Sequence, residues 1–150
     1  MTEEKDRLPP GLESALIGAS QVEYRPVDLG DACARYREAG YEVTPWLRRF
    51  LENYCGLSVT WSFRGVLDVE LVTDVREALD VHPANVRHYA RRAGFQVVPV
   101  GLAFDTEESV LLAENGDILL GGDAGVQRVA HGFEEAMRSL IMDTWDKSYL

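Results

Sequence analysis

Residues 44–71 read TPWLRRFLENYCGLSVTWSFRGVLDVEL, and the apolar period changes in the middle of that stretch. Trp46, Leu47, Phe50, Leu51 and Tyr54 fall at i, i+1, i+4, i+5 and i+8, the stripe of an amphipathic helix, with Arg48, Arg49, Glu52 and Asn53 opposite. Thr44-Pro45 supplies a cap and a first-turn proline, and Gly56 a stop. From Leu57 the period falls to two: Leu57, Val59, Trp61 and Phe63 alternate with Ser58, Thr60 and Ser62. Arg64-Gly65 turns the chain, and Leu67, Val69 and Leu71 alternate with Asp68 and Glu70, which predicts a β-hairpin. A helix followed directly by a hairpin sets the fold class.

Working outward, a first helix starts near Pro10 and carries Leu12, Leu16 and Ile17 inward. A polar connection, SQVEYRPVD, leads to Asp28, the N-cap of a second helix bearing Leu29, Ala32, Cys33 and Tyr36 and stopped by Gly40. Beyond the hairpin, Pro83 opens a short helix with Val86, Tyr89, Ala90 and Ala93, ending in Arg91, Arg92 and Gly94. FQVVPVGLA, SVLLAE, DILL and VQRV then predict a meander, hinged at Asn115-Gly116 and at GGDAG. A closing helix aligns Phe133, Ala136, Met137, Leu140 and Ile141, with Trp145 extending the stripe. Strands in sequential runs predict one α+β domain over 1–150, a mainly antiparallel sheet of five or six strands with helices packed against it. Its core is expected over about 10–142, with segment 1–8 frayed.

The 150 residues carry 25 acidic and 15 basic side chains, a net charge of −10, at 46% hydrophobic composition. That is enough apolar material for a core without disulfides or metal. The negative charge disfavours direct nucleic-acid binding. It is also uneven: residues 101–150 hold 10 acids against 3 bases, a half suited to a basic partner. The same surplus also serves simply to keep a small protein soluble. No apolar run spans a bilayer and the first residues are acidic, so a cytoplasmic protein with reduced thiols and no membrane partner is expected.

No chemistry announces itself. Cys33 falls on an apolar helix face, and Cys55 at a helix C-terminus where the dipole opposes a thiolate. No serine sits in a GxSxG elbow. His82 and His88 do not share a helical face, and His131 stands apart, so no metal site is indicated. Asp105, Glu107 and Glu108 lack the alternation and central glycine of a calcium loop. GGDAG has no lysine and opens no helix, so it is a turn and not a phosphate loop. Trp46, Phe50 and Tyr54 read as core; Trp61, on a strand that can show either face, reads as core or as an exposed anchor. No enzyme and no cofactor are predicted.

The ordered set of segments carries more than any one of them. AGYEVTPWLRRFLENYCGL, VVPVG at 97–101, SVLLAENGDILL, HGFEEAMRSLI and the early YRPVD together resemble the SUKH superfamily of Smi/Knr/Syd-type domains, and specifically its third subfamily. The resemblance covers about residues 10–142. Cys55 stands where that family more often has a second glycine, Ala130-His131 replaces a small polar cap, and GGDAGVQRV matches loosely. The resemblance implies an immunity protein: a cytosolic antidote that neutralises a cognate polymorphic toxin, often a nuclease or deaminase, by stoichiometric binding without catalysis. An acidic surplus suits a basic, nucleic-acid-acting toxin. The residues expected at that interface are Asp105, Glu107, Glu108, Asp117 and Asp123, with Trp61 as anchor, on a monomer or weak homodimer. The other reading the resemblance allows is an intracellular interaction or regulatory scaffold of the same superfamily without a toxin partner.

Overall fold

The computed structural model describes residues 8–104 and 107–150; the fraying expected of segment 1–8 and the interface role expected of Asp105 fall outside them, Leu8 excepted. The chain runs α1 (Pro10–Ala15), β1 (Gln21–Tyr24), α2 (Leu29–Glu38), α3 (Pro45–Tyr54), β2 (Leu57–Phe63), β3 (Leu67–Val72), α4 (Val75–Ala78), α5 (Pro83–Ala93), β4 (Val97–Ala103), β5 (Glu108–Ala113), β6 (Asp117–Gly122), β7 (Gly125–His131) and α6 (Phe133–Met142). Among the described residues, seven strands form one antiparallel sheet in chain order. The α+β architecture is as expected, with one strand more.

That strand is β1, hidden inside the polar connection. Its four residues alternate with only Val22 and Tyr24 half-buried, too short and too polar to stand out, yet Gln21 pairs with Thr60 and Tyr24 with Leu57. The short α4, begun by Asp74 accepting from the Glu77 N–H at 3.1 Å, was also not visible in the pattern. Ile17 does not point inward. Helix α1 stops at Ala15, so the helical period no longer applies at Ile17, which is 83% exposed while Leu12 and Leu16 are buried.

The caps follow the sequence. The Asp28 side chain accepts from Asp31 N–H at 3.0 Å, and Thr44 Oγ1 from Leu47 N–H at 3.2 Å. At the first hairpin Arg64 and Gly65 both take positive φ (55° and 67°), and Val66 N–H donates to Phe63 O, the geometry that matches strand twist. The Asn115-Gly116 hairpin takes a three-residue form instead of a two-residue one: Gly116 N–H donates to Ala113 O at 2.9 Å, and only Gly116 takes positive φ.

The sheet separates two cores. On one face α1, α2, α3 and α6 cover Leu57, Val59, Trp61, Val100, Val110, Ile118 and Leu120. On the other α5 sets Val86 and Tyr89 against Val97, Leu111, Ala113, Leu119 and Val126. Strands β5 and β6 are therefore buried on both faces, which is why SVLLAE and DILL are continuous apolar runs and not alternating ones. Helix α5 covers only this half. Over β2 and β3 the same face displays Ser58, Thr60, Ser62, Asp68 and Glu70, with Ser58 Oγ donating to Glu70 at 2.8 Å. At the far edge the C-terminal segment lies along β7, where Leu150 N–H donates to Val126 O and Trp145 Nε1 to Gln127 Oε1. That cover blunts an edge open to pairing with another chain.

Candidate functional site

The acids singled out in the meander divide between its two ends. Glu107 and Glu108 open β5 and Asp123 follows β6, so antiparallel pairing brings all three to one end of the sheet. Glu108 lies over the next strand: a Cβ built on Gly122 would meet its Cγ at 3.2 Å. Asp117 begins β6 and sits about 20 Å along the strand direction from Asp123, at roughly 3.3 Å per residue.

Asp117 is also engaged internally. Arg128 Nε and Nη2 donate to its two oxygens at 2.9 and 3.2 Å, Asn115 Nδ2 donates at 3.1 Å, and His131 Nδ1 is 3.0 Å away. Partial burial pushes this carboxyl up, but hydrogen bonds from Arg128, His131 and Asn115 outweigh it and hold the group below the usual carboxylate range. Asp117 thus ties the ends of β6 and β7 together.

Trp61 offers no surface. It is 0% exposed and packs edge-on against Phe104 with centroids 5.8 Å apart. Its Nε1–H finds no partner among the described residues. Burying an indole is worth about 4–6 kcal/mol at 25 cal/mol/Å² over about 150–250 Å². That exceeds the roughly 1–3 kcal/mol that an orphan donor costs. The core reading of Trp61 holds, and the exposed-anchor reading is corrected.

Glu107, Glu108 and Asp123 line a cleft of ≈ 600 Å³. The residues before α5 (Asp80, His82) and α5 itself (Asn85, Tyr89) also line it, as do Leu102, Ser109 and Gly121. Gly121 is required there, because a Cβ would come within 2.9 Å of the Tyr89 ring. Among the described residues, no Lys or Arg lines the cleft. Burial raises the Tyr89 hydroxyl above its ordinary pKa, and the carboxylates of Asp123 and Glu108 raise it further. The smaller cleft between α2 and α4, ≈ 340 Å³, mixes Asp28, Asp31 and Asp74 with Arg35 and Arg76. The cleft at α5 is thus the larger and the more one-signed.

Asp80 was missed in the sequence. Its only local signal is its place two residues before His82, whose Nδ1 caps α5 by accepting from Ala84 N–H at 3.0 Å. Nothing local says that the helix crosses the sheet beside β5 and β6.

The thiols sit as their positions predict. Cys33 and Cys55 are free and buried, and burial pushes the Cys55 thiol up to about 12. Among the described residues no group of three His, Cys, Asp or Glu side chains is arranged to hold a metal ion, and no helix is long and apolar enough to cross a membrane.

Comparison with known proteins yields one family. The model of the SUKH-3 immunity protein family matches residues 17–143, from the end of α1 through α6. No curated protein and no solved structure matches the chain. The match runs through all the described strands and all but the first described helix, well over half of the sequence: the chain belongs to the SUKH-3 immunity protein family.

Proposed function

We propose that this protein binds one cognate toxin, a basic domain acting on nucleic acid, and neutralises it stoichiometrically in the cytoplasm without catalysis. The observation that supports the reading best is that an immunity-family chain of net charge −10 gathers Glu107, Glu108, Asp123 and Asp80 around one cleft with no Lys or Arg among its described lining residues. Arginines and lysines that hold phosphates hold carboxylates equally well, so an acidic surface both steers the toxin in and occupies the groups it needs. The test is capture of the partner from the source organism at low salt. The partner's toxic domain is then expressed alone and together with this chain. The reading requires a 1:1 complex that loosens as salt rises and relieves the growth arrest. Several housekeeping partners and no toxic domain would instead favour the regulatory scaffold.

A further inference from the structure

We propose that the surface around the C-terminal end of α6 is where two copies of this chain meet, in a weak dimer that salt strengthens. Three elements end or turn there, and each leaves an apolar side chain beyond its own cover. Met142, the last residue of α6, is 64% exposed; Leu67, the first of β3, is 43% exposed; Ile17, just past α1, is 83% exposed. Leu67 continues an alternation whose Val69 and Leu71 lie in the core, so it extends the face on which α6 packs. Two contacts gather these residues. Arg64 Nε donates to Asp143 Oδ2 at 2.8 Å, which ties the tip of the β2–β3 hairpin to the residue after Met142. The turn after α1 lies on the last turn of α6, where a Cβ on Gly18 would meet Ile141 Cγ2 at 2.7 Å. Half-buried Ile141 and Phe63, the latter paired with Leu67 across the hairpin, adjoin the three.

The occupant follows from charge and from area. The chain carries −10, yet Asp143 lies 2.8 Å from Arg64 and 2.7 Å from Lys147, and Arg138, one turn before Met142, pairs with Glu135. A basic toxin steered by free carboxylates finds none in these pairs. A second copy meets an apolar surface like its own, with little local repulsion. The exposed apolar side chains supply on the order of 300–400 Å² per copy. At the roughly two-thirds apolar share of a homodimer interface, that makes about 1,000 Å² in total, just under the roughly 1,200 Å² at which stable interfaces begin. An interface of that size holds a weak, reversible dimer, with a dissociation constant between about 10 μM and 1 mM. Two chains of −10 repel at long range, so screening tightens this dimer, the reverse of its effect on a complex with a basic toxin.

The test is analytical ultracentrifugation of the full chain from about 10 μM to about 1 mM, at low and at high salt. The dimer fraction rises with concentration, and high salt tightens the dissociation constant at least about 3-fold. Ile17→Asp and Met142→Asp each weaken the dimer at least about 10-fold. Both leave the melting temperature within about 3 °C of the parent's, because these side chains already face water. Met142→Leu dimerises like the parent, and so does Val27→Asp, which adds the same charge past the far end of β1, where Val27 is 44% exposed. A chain that stays monomeric at about 1 mM in high salt overturns the proposal, as does a dimer that high salt dissolves or one that both aspartate variants leave intact. If Met142→Asp abolishes capture of a toxin by a chain that never dimerises, the patch belongs to the toxin and not to a second copy. The dimer is read without any toxin present, so its failure leaves the toxin reading untouched.

Discussion

Thr73 is 1% exposed, and its one hydroxyl serves two backbone segments: it accepts from Leu57 N–H at 2.9 Å and donates to Tyr54 O at 2.6 Å. It thereby fixes the end of α3 against the start of β2. Thr73→Val keeps the shape and orphans both groups, and should cost about 1–3 kcal/mol in urea unfolding, with Thr73→Ser recovering part of it. A Val variant with the parent's midpoint would contradict this role. Asp117 makes a pH-dependent contribution. Its carboxyl is held below the ordinary value of 3.8, so it stabilises the fold above about pH 4 and loses that effect as pH falls through the depressed value. Asp117→Asn should therefore be less stable than the parent by about 1–2 kcal/mol at pH 7 and indistinguishable from it near pH 2. A constant gap at both pH values would show that packing, and not charge, is responsible. Neither residue carries a pattern signal, since a lone Thr or Asp looks the same in a sequence whether buried or exposed.

Elements with a long period were legible; short ones were not. Helix α3 and the β2–β3 hairpin follow directly from the switch in apolar spacing at Gly56, as do the caps at Asp28 and Thr44. Strand β1 and helix α4, at four residues each, hold too few side chains to show a period. Ile17 failed because a helix boundary, the least certain part of any such reading, fell two residues early. Gly56 does more than end α3. At φ 93° its missing Cβ leaves room for the Arg25 carbonyl, which would lie 2.0 Å from a Cβ there, and Arg25 N–H donates to Gly56 O. The glycine thus lets the entry to α2 pass across the end of α3. Gly56→Ala should destabilise the fold by about 2–4 kcal/mol, from backbone strain plus the clash, as read by thermal unfolding. A loss under about 1 kcal/mol, the ordinary helix-to-strand cost of a surface change, would mean that this crossing is not tight.

At the scale of the molecule, helix α5 decides what the acidic half becomes. The sequence placed Glu107, Glu108 and Asp123 in meander loops, but only the docking of α5 on β4 and β7 adds Asp80 and Tyr89 and makes a concave site. That docking is a long-range contact between elements whose local patterns say only that each has an apolar face. The same tertiary facts move Trp61 into the core and Asp117 to the far end of β6. The resemblance was legible for a different reason: it rests on the order of many short segments, which local ambiguity does not erase, and the family match over residues 17–143 agrees with it.

The most direct test of an acidic cleft that steers a basic toxin is the association rate of the purified pair at low and at high salt. The Glu107→Lys/Asp123→Lys double variant should associate about 10-fold more slowly at low salt, with the difference shrinking as salt rises. Glu38→Lys/Glu52→Lys, exposed on α2 and α3, makes the same change in net charge away from the cleft and should slow association by less than about 3-fold. Equal slowing by both pairs would assign the effect to net charge alone, and no slowing by the cleft pair would contradict the account.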